Sequence, residues 1–586
     1  GAIAISAFVA LTLTPMMCSL LLRPHQSTGG GIAGRIDRTL KRVTAAYQRS
    51  LERNLHRTGV FAGMVVAAML ATVALFLAVP KELAPPEDRG SFFVSVAGPE
   101  GAGFDYTVGQ MQKVESILLQ GIGEDGPLHR VIARVPGGFG GGANEEMHTG
   151  NSIVILKPWD EREVSTNEVV NRVRSELAVV PGVIARPIAR SGLTRSRGGQ
   201  QFQVVLGGPD YAELAQWRDL LLREMESNPK LFGADSDYKE TRPQLRIDVN
   251  RERAAALGVS VQDIGRTLET MMGSRSVGTF VEGGEEYDVI LQAQISDRAT
   301  PDDLTNLFVR SRAGDLVPLA SLVTLRELAE PGSLNRFNRL RAITISASLA
   351  PGYTLGEATA WVEDAAARVL PPNAQIDWKG EAREQQQGSV EIYFAFAMAL
   401  LIVYLVLAAQ FESFVHPFVI MLTVPLAVLG ALFGLWSMGL LAAIGWRGPG
   451  ASLNLFSQIG LIMLVGLAAK NGILIVEFAN QLRDQGRDVR AAILEASAIR
   501  LRPILMTSIA TIAGAMPLLL GGGAGSASRN SIGIVIVFGV ALSTFLTLYI
   551  IPALYARVAP YTKAPEARGR ELERLEELHV DGEAQA

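Results

Sequence analysis

The chain has 586 residues, of which 48% are hydrophobic and 19% charged, and this composition disfavours both a disordered protein and an ordinary soluble enzyme. A single cysteine, Cys18, excludes an intramolecular disulfide framework and a cysteine-rich metal site. The net charge of -4 gives no basic field that would favour nucleic acid as a partner. Because Gly1 is not Met and opens an apolar run, we interpret the sequence as a fragment or processed piece.

Seven apolar stretches are long enough to cross about 30 Å of hydrocarbon as helices, which takes roughly 17 to 25 residues. They cover residues 2–22, 60–79, 392–409, 417–438, 459–479, 504–521 and 532–556. The first has no basic leading region and no small-residue cleavage site, so we interpret it as the end of an earlier membrane domain and not as a signal peptide.

Basic residues in the connectors predict the orientation, because cytoplasmic loops of membrane proteins are enriched in lysine and arginine. In the connector after the first stretch they are Arg23, Arg35, Arg38, Lys41, Arg42, Arg49, Arg53 and Arg57. In the connector after the fifth stretch they are Arg483, Arg487, Arg490, Arg500 and Arg502. We expect both connectors in the cytoplasm and residues 80–390 on the opposite side.

The segment 80–390 alternates strand-like and helix-like patterns. Strands are predicted at Ser91–Ala97, His129–Val135, Ser152–Leu156 and Val183–Ile188, and helices at 105–120 and after a Ser165–Glu168 capping box. This βαβ–βαβ order is typical of the split ferredoxin-like pattern.

A second unit of the same kind is predicted, with an interruption. Its first half comprises strand Phe202–Leu206, a helix capped by Asp210 and strand Leu245–Val249. Its second half comprises strand Arg341–Ser348, a helix from Thr354 and strand Ala374–Trp378. We interpret residues 251–330 as an inserted domain that projects outward and is available for docking.

Lys470 lies near the middle of the fifth apolar stretch, where an ammonium in lipid would cost from about 2.5 to more than 10 kcal/mol. We therefore expect it to face a polar interior and to need an anionic partner. The other six stretches have no Asp or Glu near their centres. The partner is predicted to lie on a segment absent from this sequence or on another subunit.

Thr507 and Thr511 lie on one face of the sixth stretch, and Arg500 precedes Thr507 by about two turns. Two interpretations stay open for the hydroxyls. They belong to a polar pathway with Lys470, or they bond back to the preceding helical turn, as hydroxyls in helices often do. Arg500 by itself fits the positive-inside bias.

Residues 136–144 form a glycine-rich loop between two strands, with the single aromatic residue Phe139. The sequence contains no Gly-Lys dipeptide, so this is not a phosphate loop, and we expect an ion gradient to supply energy in place of ATP. The loop either gates a cleft or is a plain solvent-exposed connection. The histidines show no ligand spacing and no nucleophile elbow occurs, so we predict no enzyme, cofactor or metal site.

Residues 466–479 (GLAAKNGILIVEFA) and 500–508 (RLRPILMTS) resemble the C-terminal membrane half of resistance-nodulation-division (RND) efflux pumps. The resemblance is to the hydrophobe/amphiphile class, of the Acr and Mex type. Residues 523–526, 80–90 and 248–259 add further matches, and the resemblance covers nearly the whole chain.

The resemblance implies a polytopic α-helical membrane protein with a large α+β periplasmic domain of ferredoxin-like porter subdomains plus a docking insertion. It also implies a location in the bacterial inner (plasma) membrane. The implied divisions are a membrane helix (1–23), a cytoplasmic amphipathic connector (24–59), a membrane helix (60–79), a porter subdomain (80–192), a second porter subdomain in two parts (193–250 and 331–390), the docking insertion (251–330), five membrane helices (391–557) and a cytoplasmic tail (558–586).

By resemblance, Lys470 pairs with adjacent aspartates of a missing N-terminal half. Asn471, Arg500 and Thr507 would belong to the same proton relay. Gly137, Gly138, Phe139, Gly140 and Gly141 would form the switch loop of the substrate pocket. The chain departs from the best-known members at Val131–Ala133 and Ser152–Ile155, where those carry phenylalanines, so a thinner aromatic trap is implied.

The implied function is proton-driven antiport that exports amphiphilic or hydrophobic compounds across the Gram-negative envelope. The implied partners are membrane lipid, amphiphilic small molecules, two further copies in a homotrimer, a periplasmic adaptor (membrane fusion) protein and an outer-membrane channel, with no nucleic acid.

Three other interpretations remain. A heavy-metal cation exporter of the same fold would need a methionine cluster, and Met111, Met147 and Met225 are scattered in sequence. A protein- or lipid-handling member of the same superfamily is the second. In the third, the fragment alone is not competent, because it lacks the acidic partner.

Overall fold

The computed structural model describes residues 1–21, 32–55, 57–85, 87–124, 126–137, 146–189, 202–350, 352–443 and 452–562. These residues form two compact units. The helical unit takes the described residues of Gly1–Pro80, Glu391–Gly521 and Ala527–Ala586, and the β-rich unit takes those of Lys81–Val390 and Gly522–Ser526.

The α-helices are α1 (Ala2–Leu11), α2 (Leu13–Leu21), α3 (Ile32–Asn54), α4 (Thr58–Ala78), α5 (Phe104–Leu119), α6 (Thr166–Leu177), α7 (Tyr211–Ser227), α8 (Arg251–Ala256), α9 (Val261–Leu268), α10 (Leu355–Val369), α11 (Glu381–Gln410), α12 (Val415–Met421), α13 (Thr423–Ala443), α14 (Leu455–Asp484), α15 (Val489–Leu520) and α16 (Ser526–Val558). The strands are β1 (Ser91–Ala97), β2 (Leu128–Arg134), β3 (Thr149–Leu156), β4 (Ile184–Ala189), β5 (Phe202–Gly208), β6 (Leu231–Ser236), β7 (Arg242–Val249), β8 (Arg275–Glu282), β9 (Glu285–Leu291), β10 (Phe308–Arg310), β11 (Leu316–Pro318), β12 (Val323–Glu330), β13 (Arg336–Phe337), β14 (Leu340–Leu349) and β15 (Gln375–Trp378).

The seven predicted apolar spans are confirmed as helical segments in the part of the chain that the structure describes. The first combines α1 and α2, and the fourth combines α12 and α13. Helices α14 and α15 extend beyond the apolar stretches that predicted them, to Asp484 and back to Val489. The predicted connector between the fifth and sixth stretches is therefore mostly helix, because polar residues outside the hydrocarbon continue the same helices.

Close contacts between helices depend on glycine where α13 packs against α16. A Cβ atom on Gly430 would lie 2.6 Å from the carbonyl oxygen of Phe538, and one on Gly434 would lie 2.6 Å from the Cγ of the same residue. Gly539 of α16 makes a similar approach, since its Cβ would lie 2.5 Å from Leu464 of α14. In lipid the hydrophobic effect supplies little attraction between helices, so close packing matters more. Small residues allow the helix backbones to approach closely.

The first sheet of the β-rich unit has the strand order β2-β3-β1-β4, with all neighbours antiparallel. Alternate residues of β1, Phe92, Val94 and Val96, are fully buried and pack with α5 and α6. The predicted capping box at Ser165 is present at the start of α6. The alternating burial along β1 and the capping box of α6 therefore confirm the strand and the helix that the sequence patterns predicted.

The second sheet has the order β13-β14-β5-β15, and β6 also pairs with β14. The prediction that Leu245–Val249 completes the first half of this sheet is wrong. That segment lies in β7, which pairs with β12 in a separate two-stranded ribbon, and β6 occupies the predicted place. Leu245, Ile247 and Val249 alternate because they pack on the core of the inserted segment. The β7–β12 ribbon thus belongs with the insertion.

Candidate functional site

Lys470 lies at the middle of the 30-residue helix α14 and is exposed on its surface. Helix ends are about 21 Å away on each side at 1.5 Å per residue, which is too far for the side chain to reach a membrane surface. The same face exposes Ile459, Met463 and Gly466, about three, two and one turns closer to the start of the helix. The polar interior expected around Lys470 is not formed by the described residues, which leave this face of α14 open.

An acidic partner for Lys470 is absent from the described part of the chain, where no ion pair or hydrogen bond to its ammonium is formed. The nearest acid along α14 is Glu477, which accepts a hydrogen bond from Gln481 at 3.2 Å. The location of the anion outside these residues stays a prediction.

Asn471 faces the opposite environment from its neighbour, because it is buried between α14, α15 and α16. Its amide nitrogen donates to Thr544 Oγ1 at 3.1 Å and to Ser508 Oγ at 3.5 Å. The two hydroxyl oxygens are 2.9 Å apart and share a further hydrogen bond. We call Asn471, Ser508 and Thr544 the amide–hydroxyl cluster.

Thr507 and Thr511 bond back to their own helix, as one of the two sequence interpretations allowed. Thr507 Oγ1 donates to the Ile504 carbonyl at 3.1 Å, and Thr511 Oγ1 donates to the Thr507 carbonyl at 2.8 Å. A back-bonded hydroxyl keeps its lone pairs available as acceptors. Thr507 is partly exposed, so its hydroxyl oxygen can still accept a hydrogen bond.

Arg500 lies on α15 with its guanidinium 4.4 Å from the centre of the Phe478 ring. This geometry is a cation–π contact between α15 and α14. The Nε atom of Arg500 is buried and has no hydrogen-bond partner among the described residues. A buried donor left without an acceptor is costly, which makes Arg500 more than a surface charge.

The four predicted relay residues do not form one hydrogen-bonded group in the described chain. Lys470 points to an open face, Asn471 to the buried cluster, Thr507 to its own helix and Arg500 to an aromatic ring. Sequence reasoning missed Ser508 and Thr544, which are the partners of Asn471. The sequence held no signal that separates them from the other hydroxyl residues of the same helices, such as Thr511 in α15 and Thr547 in α16.

The predicted switch loop falls mostly outside the described residues, which include Gly137 but not Gly138, Phe139, Gly140 or Gly141. The amide of Gly137 donates to the Thr149 carbonyl at 2.9 Å. A Cβ at this position would lie 3.0 Å from the carbonyl carbon of Gly150, so a side chain would press on the backbone of β3. The start of the loop is therefore fixed to the first sheet.

The three methionines considered for a soft-metal site lie apart. Met111 is buried in the core of the first sheet, Met225 is buried in the core of the second sheet, and Met147 is exposed. Within the described ranges, no group of three or more His, Cys, Asp or Glu side chains could hold a metal ion.

Residues 1–559 match the profile of the AcrB/AcrD/AcrF family. An uncharacterized transporter of Haemophilus influenzae is 35% identical over 566 residues, which are 95% of this chain and 53% of the relative. The toluene efflux pump membrane transporter TtgB of Pseudomonas putida is 32% identical over 578 residues, 97% of this chain and 53% of the relative. The multidrug export protein AcrF of Escherichia coli is 32% identical over 567 residues, 95% of this chain and 53% of the relative.

The apolar helices, the β-rich unit and these matches together define a membrane protein of the RND efflux type. The chain belongs to the AcrB/AcrD/AcrF family. It spans about half the length of the curated relatives that it matches.

Proposed function

We propose that this chain is part of a proton-driven antiporter that exports amphiphilic and hydrophobic compounds. The observation that carries the proposal is Lys470, a basic side chain exposed at the middle of an apolar helix. A cation at that depth costs about 2.5 kcal/mol or more unless an anion faces it. We infer that the open face of α14 packs against a helix that carries an intramembrane acidic pair.

An ammonium paired with carboxylates responds to protons, because protonation of an acid removes the charge that holds the ammonium. Lys470 then loses its partner and α14 relaxes toward a second position. The amide–hydroxyl cluster joins α14 to α15 and α16, so these helices follow the movement. Asn471 thus acts as the link between the titrating pair and the rest of the bundle.

Arg500 and Thr507 belong to the same pathway in this proposal. Arg500 has a buried Nε without an acceptor among the described residues, and the Thr507 hydroxyl oxygen can still accept a hydrogen bond. Both groups lie on α15, which packs along α14. A proton or water that enters from the end beside Phe478 would meet Arg500 before it reaches the level of Thr507 and Lys470.

The names of two relatives support the substrate class, since one is called a toluene efflux pump and another a multidrug export protein. We assign the β-rich unit to the periplasm, with residues 80–192, 193–250 and 331–390 as porter subdomains and 251–330 as the docking insertion. The glycine loop from Gly137 to Gly141 would line the substrate path. The working assembly would be an inner-membrane homotrimer joined to a periplasmic adaptor and an outer-membrane channel.

The test is proton-coupled export by the complete protein that contains this chain, reconstituted in vesicles with an imposed pH gradient. Lys470→Ala should abolish dye export and the accompanying proton flux, because the acidic pair loses its counter-charge. Lys113→Ala, which removes an exposed lysine from α5, should leave both rates unchanged. Normal export by Lys470→Ala under the gradient would overturn the proposal.

A further inference from the structure

Helix α3 lies between two apolar segments, Ala4–Leu21 and Gly59–Ala78, that are long enough to cross a membrane. A chain that leaves the bilayer and enters it again must place the connecting helix at one membrane surface. With 23 residues, α3 is about 34 Å long at 1.5 Å per residue. This length is enough to extend along the surface past several lipid headgroups.

One face of α3 is docked on the helical unit. Leu51 and Leu55 are buried there, and Tyr47 donates a hydrogen bond to the Leu548 carbonyl of α16 at 2.5 Å. Burial raises the pKa of the Tyr47 phenol, so it remains a protonated donor. Its ring also meets Tyr549 edge-on at 5.5 Å. These contacts fix the rotation of α3 about its own axis.

The docking point lies on the side of α16 and not at its end. Leu548 precedes the last residue of α16, Val558, by ten positions, or about 15 Å of helix. Asp37 of α3 forms an ion pair with Arg502 of α15 at 3.3 Å, which holds the other end of the helix to the bundle. The face of α3 that points away from the bundle therefore points sideways from it and not along its axis.

That outward face carries arginines. At about 100° per residue, Arg35, Arg42, Arg49 and Arg53 all fall in a sector about 40° wide, between roughly 200° and 240° from Tyr47. All four are exposed. We call these four residues the arginine stripe; Arg38 lies about 20° beyond its edge.

No acid of α3 shares this sector. Its acids, Asp37 and Glu52, fall at about 80° and 140° from Tyr47 by the same geometry. Asp37 is already paired with Lys41 at 3.0 Å and with Arg502. Within the described residues, Arg35, Arg42 and Arg53 form no ion pair. The positive-inside bias explains the number of basic residues in a connector, but it does not explain their placement on one face.

We propose that the arginine stripe binds the phosphate groups of anionic phospholipids in the adjoining leaflet. A guanidinium presents a planar fork of donors that matches phosphate oxygens, and it is weakly hydrated. Anionic lipids attract basic segments at a membrane surface, and salt screens this attraction within about 10 Å. In this proposal the lipid phosphates contact the exposed face of α3, and Tyr47 holds the opposite face on α16.

The experiment measures lipid selectivity of the full chain in vesicles. Spin-labelled phosphatidylglycerol and phosphatidylcholine report the ratio of their association with the protein surface. Replacing the four stripe arginines together by glutamine should lower the preference for phosphatidylglycerol several-fold. The matched control replaces four exposed arginines of the β-rich unit by glutamine, namely Arg172, Arg223, Arg251 and Arg253.

The control should keep the preference of the unmodified chain. An unchanged preference in the stripe variant would overturn the proposal and leave a protein partner, or a second copy of the chain, as the occupant of this face. Neither readout needs transport, so the result does not depend on the proposed export function.

A second measurement avoids the risk that the variant fails to fold. In the unmodified protein, amide hydrogen exchange across α3 should slow when phosphatidylglycerol is added to phosphatidylcholine vesicles, and high salt should reverse the effect. Exchange in the exposed hairpin of β8 and β9 should not respond. Equal exchange in α3 with and without the anionic lipid would also overturn the proposal.

Discussion

Lys470 and Asn471 are adjacent in the sequence but lie in opposite surroundings. A step of one residue turns a helix by about 100°, so one side chain reaches the open face while the next enters the packed interior. The buried amide is satisfied by two hydroxyls from two other helices. This arrangement makes Asn471 the point where a change at Lys470 can reach the bundle.

A double-mutant cycle can separate the observed cluster from the predicted relay. Asn471→Ala combined with Thr544→Val should show a coupling of about 0.6 kcal/mol, the average for hydrogen bonds between membrane helices. Asn471→Ala combined with Thr507→Val should show none, because Thr507 bonds to its own helix. The measurement is unfolding of the four variants of each cycle in mixed micelles. Equal coupling in both cycles would contradict the geometry described for the cluster.

Asp88 and Arg162 form a nearly buried ion pair at the start of the β-rich unit. Arg162 donates to both carboxylate oxygens, at 3.0 and 2.6 Å, and the amide of Thr166 donates at 2.7 Å. Burial would raise the pKa of Asp88, but the hydrogen bonds from Arg162 and Thr166 outweigh it and leave the pKa below its usual value. The pair ties the segment before β1 to the start of α6.

Removing the guanidinium should destabilise this unit strongly. Arg162→Met leaves the Asp88 carboxylate with little compensation, and breaking a buried pair in this way costs about 3–5 kcal/mol. Arg223→Met, at an exposed position of α7, should cost much less. Denaturant unfolding at neutral pH measures both. If Arg162→Met lowered the free energy of unfolding no more than Arg223→Met does, the ion pair would contribute nothing to the stability of the fold.

The lowered pKa of Asp88 also predicts how the free energy of unfolding depends on pH. The stabilisation is fully present above the unfolded pKa of about 3.9 and is lost as the pH falls through the folded value. The unmodified protein should therefore lose more stability on acidification below about pH 4 than Asp88→Asn does.

At the scale of the element, the packing of α13 against α16 depends on the absence of side chains. Gly430→Ala would place a methyl group against the backbone carbonyl of Phe538, which cannot rotate away. Overpacking of this kind costs about 1–3 kcal/mol. Gly63→Ala in α4 meets no atom within 4 Å and should be neutral or stabilising, since alanine favours a helix. Thermal midpoints in detergent compare the two; a Gly430→Ala midpoint at or above that of Gly63→Ala would refute the packing argument.

The sequence predicted the existence of the long elements better than their partners. Apolar length gave the seven candidate spans, and the caps at Ser165, Asp210 and Thr354 gave three helix starts that the structure confirms. Hydropathy could not locate the polar ends of α14 and α15, because helix continues after the apolar run stops. Alternation marked Leu245–Val249 as a strand but carried no information about which strand it pairs with.

In the candidate site, too, some residues could be predicted from the sequence and others could not. Lys470 could be singled out because a charge in an apolar helix is rare and its cost is large. Ser508 and Thr544 could not, because a hydroxyl in a membrane helix is inexpensive and its partner is set by how three helices pack. Spacing along one helix pointed instead to Thr507 and Thr511, which share a face but bond within their own turn.

At the scale of the whole molecule, the two units have separate cores, and the two cores are packed in different ways. Buried residues of the helical unit include many alanines and glycines that allow close helix contacts. Those of the β-rich unit alternate along strands and meet one face of each helix. Membership of the AcrB/AcrD/AcrF family covers both units, since the match extends over residues 1–559.

The strand order of the second sheet has a consequence for how the chain is made. Gly208 of β5 pairs with Arg341 of β14, and these residues are 133 positions apart. At about 5–20 residues per second, a ribosome needs on the order of 7 to 27 seconds to produce the missing neighbour. During that interval the edge of β5 that pairs with β14 has no neighbour. The side chains of Phe202, Val204 and Leu206, which are fully buried in the finished fold, then lack part of their packing. Exposed apolar surface and an unpaired strand edge favour aggregation, so this interval is the exposed stage of synthesis, whereas the first sheet is complete before β5 is synthesised.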